Sequence, residues 1–159
     1  MALGKSHDMI NMLLMPIPLY FIPKEFYLPF TLGYIIGTFF LSPDLDLRHS
    51  KPSKRWGYLK VVWLPYQKKS KHRGISHIPI LGTIIRLFYL NFLIFILYFV
   101  IVGMLSQINL DKAILSFDFV GFLEKLASSP ASLYFLLGLF LSEVFHVLLD
   151  VVSTLRRVL

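Results

Sequence analysis

The chain has 159 residues, about one domain's worth, yet 56% are hydrophobic, 16% are aromatic and the mean hydropathy is +0.68, which excludes an ordinary soluble domain. It contains no cysteine, so disulfides and thiolate metal sites are excluded and any metal must be held by nitrogen and oxygen. The formal charge of +7 is unevenly spread, with nine of the 16 Lys and Arg between Arg48 and Arg73, and such asymmetry sets membrane topology before it suggests a partner.

These properties predict an all-α integral membrane helical bundle, a single domain over residues 1–159 with about four membrane segments and one amphipathic interfacial helix. The start carries a charge and then an apolar run, as a secretory signal peptide does. Pro16 and Pro18 interrupt that run, however, and bulky Tyr20, Phe21 and Ile22 follow where a cleavage site would need small residues, so the segment is expected to stay as the first membrane helix. Residues 9–22 should kink or end early, because each proline removes a backbone donor. Pro23, Lys24 and Glu25 make a turn, and residues 26–41 form a second apolar segment in which Gly33 and Gly37, four apart, offer a face for close helix contact.

Residues 47–73 form a basic loop. It contains Trp56, Tyr58, Trp63 and Tyr66, residue types that favour the headgroup region, while its Lys and Arg favour the cytoplasmic side and anionic lipids. Nucleic acid would suit the charge alone, but a loop tethered between membrane segments is better explained as a lipid-surface and topology determinant. Residues 78–105 are the longest apolar segment and can cross a hydrocarbon core of about 30 Å. Residues 111–126 mix charges with Phe117, Val120, Phe122 and Leu123 and read as the amphipathic helix. The last apolar helix, about residues 131–153, ends at Arg156 and Arg157, which place the C terminus with the basic loop. The expected location is the inner (cytoplasmic) membrane, multi-pass, with both termini and the site facing the cytoplasm.

Four crossings bring His7, Asp8, Asp44, Asp46, His72, His77, His146 and Asp150 to one membrane face. His146 and Asp150, four apart, project from one helix face, and Glu143 lies three before His146 on nearly the same stripe. Ionisable groups at membrane depth are costly unless paired or ligated, so the stripe is either part of a site or an internal network with Arg73 or Arg86. Asp44 and Asp46 could equally be turn caps, and His7 with Asp8 a helix start. His49, among Arg48, Ser50 and Lys51, reads as solvated. Convergence at one depth favours two or more divalent ions on His7, Asp8, Asp44, Asp46, His77, His146 and Asp150: Zn first, with Mn, Fe or Mg as alternatives.

Gly4-Lys-Ser-His-Asp8, Ser42-Pro-Asp-Leu-Asp46, Arg55-Trp-Gly57, Trp63-Leu-Pro-Tyr66 and His72-Arg-Gly-Ile-Ser-His77 resemble an uncharacterised bacterial family of metal-binding membrane proteins over nearly the whole chain. More distantly the chain is similar to inner-membrane predicted metal-dependent hydrolases. Through them it is similar to the zinc phospholipase C and single-strand nuclease group, whose helical His-x-x-x-Asp ligand pair His146 and Asp150 match.

The expected function is a membrane-embedded, metal-dependent phosphoesterase acting on a lipid or isoprenoid phosphate. Paired metals would activate water, His72 or Glu143 would carry the proton and Arg73 would orient the phosphate through its planar fork. The alternative is a metal-binding membrane protein without catalysis, acting in sensing, storage or transport. The expected partners are membrane lipids and an amphiphilic phosphorylated substrate.

Overall fold

The apolar runs and their proline breaks become helices of very unequal length. The computed structural model describes residues 3–70, 74, 77–107 and 118–158, and every regular element among them is helical. Helix α1 (Leu3–Leu14) is followed by the short α2 (Pro16–Leu19), the interruption that the prolines predict. After a 3-10 turn at Lys24–Phe26, α3 (Tyr27–Phe39) leads to a second 3-10 turn, Pro43–Asp46, which carries the acidic pair. Then come α4 (Lys51–Arg55), a 3-10 stretch Gly57–Trp63, α5 (Leu64–Lys69), the long α6 (Leu81–Ser106), α7 (Phe119–Ser128) and the final α8 (Pro130–Val158).

Among the described residues two helices, α6 and α8, are long and apolar enough to cross a membrane, two of the four membrane segments expected. With 12 and 13 residues, α1 and α3 extend only roughly 18 and 20 Å against a hydrocarbon core of about 30 Å. One face of each packs against other helices, while Met9 and Leu13 of α1 and Leu28 and Leu32 of α3 stay exposed. Helix α3 lies directly against α8, and small residues let the backbones meet: a Cβ on Gly33 would sit 2.0 Å from the Phe135 carbonyl oxygen, and one on Gly138 would sit 2.2 Å from that of Phe30. The contact face expected from Gly33 and Gly37 is therefore real, and Gly138 completes it from the other side. Asn11 binds the pair to α1, donating to the Ser142 carbonyl at 2.9 Å and accepting from the Tyr34 hydroxyl at 2.7 Å.

The segment expected as an open basic loop is folded. Ser50 caps α4 by accepting the Ser53 N–H, and Pro52 sits in its first turn, where a missing donor costs nothing. Arg55 and Trp56 donate to the Phe39 and Phe40 carbonyls, satisfying acceptors that the end of α3 leaves open. Trp63, expected at the headgroup level, is fully buried with Leu45, Leu41, Tyr66 and Leu139, and its ring lies 5.5 Å from that of Tyr89 on α6. Burying such rings removes apolar area from water, which stabilises a folded arrangement over a solvated loop. The basic side chains Lys54, Arg55 and Lys60 remain outside.

Helix α6 is packed only at its beginning. Gly82, Thr83 and Arg86 are buried, whereas Phe88 (74% exposed), Phe92 (59%) and Met104 (69%) have no protein cover. The expected amphipathic helix is present as α7, capped by Asp118, whose carboxylate accepts the Gly121 N–H at 2.8 Å; residues 111–117 lie outside the described residues.

Candidate metal centre

The ligand-type side chains come from four places that are distant in sequence and meet at one end of the helices. His7 stands early on α1, Asp44 and Asp46 on the turn that ends α3, His77 just before α6, and His146 with Asp150 on the later half of α8. The acidic turn is held in place by Gln67 of α5, whose amide donates to the Leu45 carbonyl at 2.9 Å and to Ser53 Oγ at 3.2 Å. The folded basic segment is thus the support of the turn that presents the two aspartates.

Two triads have mutually close ligand atoms: His7, His146 and Asp150, and Asp44, His77 and Asp150. Asp150 belongs to both, with one oxygen 3.6 Å from His7 Nδ1 and the other 3.7 Å from His146 Nε2 and 4.0 Å from His77 Nε2. Asp44 spans the remaining gap, 3.6 Å from His77 Nε2 and 3.7 Å from His146 Nε2. These separations exceed a hydrogen bond but approach the spacing of about 3.4 Å that two ligand atoms adopt at tetrahedral angles with metal bonds near 2.1 Å. His146 Nε2 is also sealed from solvent and makes no hydrogen bond among the described residues. A buried nitrogen facing two carboxylates beyond hydrogen-bond reach fits a cation between them, so the donor set suits a divalent metal with His and carboxylate ligands.

The remaining expected ligands lie around this core. Asp46, fully buried, faces His77 Nδ1 at 3.7 Å while Nε2 of the same ring faces Asp44 and Asp150. That is the position of a carboxylate behind a metal-binding imidazole, which sets tautomer and ring orientation. Asp8 is in neither triad, and its carboxylate meets Arg55 at 2.6 Å. His49 is exposed, as expected. His72 and Arg73, expected as proton carrier and phosphate clamp, lie outside the described residues.

Glu143 is almost completely buried and is engaged by α6. Its Oε1 meets Arg86 at 2.7 Å, and its Oε2 accepts the Thr83 N–H at 3.1 Å and the Thr83 hydroxyl. The pairing with Arg86 weighed from the stripe is present, and it joins α6 to α8 one helical turn before His146. Sequence reasoning missed Thr83, Arg55, Gln67 and Asn11 as supports; the Arg55-Trp-Gly motif was the one signal for any of them.

Electrostatics make the centre acceptor-rich. Burial raises the affinity of Asp44 for its proton, but the His146 and His77 imidazoles outweigh that effect and hold its carboxyl below the usual carboxylate range. The centre opens at its carboxylates: the Asp44 and Asp150 side chains are 35% and 38% exposed, and His77 and Asp150 line a cavity of about 280 Å³ walled by Val147, Val151, Thr154 and Leu155.

The fold and the centre define an all-helical protein with a His/Asp site suited to divalent metal, carried on a chain with two helices able to cross a membrane. The chain belongs to the family described as "Uncharacterized metal-binding protein (DUF2227)", whose model matches residues 2–159. It is 48% identical over 134 residues to an "Uncharacterized protein" of Aquifex aeolicus (strain VF5), covering 84% of this chain and 95% of that relative. No solved structure matches. The family's description thus names metal binding, and it names no hydrolase or nuclease.

Proposed function

We propose that this protein is a metal-dependent phosphohydrolase of the cytoplasmic membrane face, acting on a lipid or isoprenoid phosphate. The observation that carries the reading is the shared Asp150: two triads joined through one carboxylate lie beside an open cavity walled largely by aliphatic side chains, an arrangement that supports two ions and an amphiphilic substrate. When bound, paired divalent ions supply Lewis-acid activation of water and neutralise charge on a phosphoryl oxygen. His7, His77, His146, Asp44 and Asp150 hold them, Asp46 orients His77, and Val147, Val151 and Leu155 exclude water from one wall of the cavity. His72 and Arg73 keep the proton-carrying and phosphate-orienting roles that their motif suggests. Glu143, the other proton carrier considered, is assigned to positioning, because Arg86 and Thr83 occupy its carboxylate. The bare apolar length of α6 supports a bilayer around it, since uncovered aromatic and aliphatic rows of this extent are disfavoured in water.

The same engagement of Glu143 favours a second reading, metal binding without turnover, because it removes one candidate for proton transfer. Purified protein in detergent, its metal measured by elemental analysis, should contain two equivalents of Zn, Mn or Fe and hydrolyse phosphatidic acid or an isoprenyl phosphate, with Asp150→Ala losing metal and turnover together. Bound metal with no turnover on either substrate selects the second reading. A folded protein that neither contains nor takes up metal refutes both.

A further inference from the structure

A second concave site lies on the other side of Asp8. A groove of about 660 Å³ is lined by Asp8, Met9 and Met12 of α1, Phe39 of α3, and Lys51, Lys54 and Arg55 of α4. Arg55 is already committed to Asp8 and the Phe39 carbonyl, and its guanidinium lies 4.7 Å from the centre of the Phe39 ring. Lys51 and Lys54 make no ion pair among the described residues, so three cations face one carboxylate and the excess positive charge falls on the lysines. Below them the surface is apolar. Met9, Leu13 and Ile17, spaced four apart along α1 and α2, are all exposed, and Tyr58, Leu59 and Val61 beyond α4 are exposed as well. Met9 belongs both to the groove and to the exposed row Met9, Leu13 and Ile17, so an acyl chain attached to a phosphate at the lysines has apolar surface to follow.

We propose that this groove seats an anionic phospholipid, its phosphate on Lys51 and Lys54 and one acyl chain along Met9, Leu13 and Ile17. The site is separate from the metal centre and does not depend on hydrolysis. Charge complementarity decides the occupant: a zwitterionic lipid brings a choline toward the same cations, and a free phosphate leaves the apolar stripe uncovered.

Short-chain phosphatidylglycerol, short-chain phosphatidylcholine and inorganic phosphate, each titrated calorimetrically into the protein in neutral detergent, test this. Phosphatidylglycerol should bind at least tenfold more tightly than either of the others, and the Lys51→Gln/Lys54→Gln variant should lose that margin while keeping its metal content and helical circular dichroism. Leu13→Asn should weaken phosphatidylglycerol and leave phosphate unchanged. Equal affinity for the two lipids, an undiminished margin in the double-lysine variant, or phosphate binding as tightly as phosphatidylglycerol would each overturn the assignment.

Discussion

The pair Arg86–Glu143 makes the sharpest energetic prediction. Arg86 is fully buried and Glu143 is 2% exposed, and the guanidinium meets the carboxylate at 2.7 Å. Arg86→Met keeps most of the side-chain volume but leaves a buried carboxylate with only the Thr83 N–H and hydroxyl as donors among the described residues. Breaking a buried pair from one side costs about 3–5 kcal/mol. The two remaining donors keep the cost near the lower end, about 3 kcal/mol, or roughly a hundredfold in the folded-to-unfolded ratio. Equilibrium unfolding in detergent, followed by the fluorescence of Trp56 and buried Trp63, measures it. Arg86→Met/Glu143→Leu removes both charges and should recover most of the loss, since the destabilisation comes from the orphaned charge and not from the missing attraction. A loss under about 1 kcal/mol in the single variant, or a double variant worse than the single, would refute the reasoning.

Other outcomes follow from the same structure. Gly138→Ala forces a Cβ within 2.2 Å of the Phe30 carbonyl and should lower stability by about 1–3 kcal/mol, whereas Gly103→Ala, with nothing within 4 Å, should be neutral or gain up to about 1 kcal/mol of helix propensity; paired thermal melts compare them. Trp63→Ala should cost about 3–5 kcal/mol, because its ring is wholly enclosed, while removing Tyr58, which is fully exposed, should leave the melt unchanged. Metal content should fall by both equivalents in Asp150→Ala and by one in His7→Ala, read by elemental analysis. Metal affinity, read by metal titrations at successive pH values, should weaken as pH falls, because protons compete with the metal for the imidazole nitrogens; Asp44 adds little to that loss, its carboxyl being held below the usual carboxylate range by His146 and His77. A single cysteine placed at Tyr58 in this cysteine-free chain should react with an impermeant thiol reagent only from the cytoplasmic side, and labelling from the outside would reverse the proposed orientation.

Much of the architecture was legible because it is local. Hydrophobic run length and proline position decide where α1 breaks and how far α6 extends, and both depend on neighbouring residues in the chain. The convergence of His7, Asp44, His77, His146 and Asp150 was also foreseeable, since each sits beside an apolar segment whose direction alternates; it required only that the helices pack antiparallel. Glycines four apart announced the α3–α8 contact for a similar reason: a missing side chain matters wherever two helices touch.

Other features are properties of contacts between distant segments, which no local pattern contains. Tyr66 and Trp63 read as headgroup anchors, and only the arrival of Tyr89 and Leu139 makes their burial more favourable than exposure. Asn11 finds the Ser142 carbonyl 131 residues away, and Glu143 finds Arg86 at a separation of 57. Asp150 becomes the carboxylate common to two triads because α1 and the approach to α6 both reach the same turn of α8. Composition and motif order therefore determined the helical class, the His and Asp types of the candidate centre and the end of the molecule where they gather. Tertiary packing decided which carboxylate is shared, which is paired with an arginine and which aromatic rings are enclosed, because those outcomes depend on distances between segments that the chain brings together only when it folds.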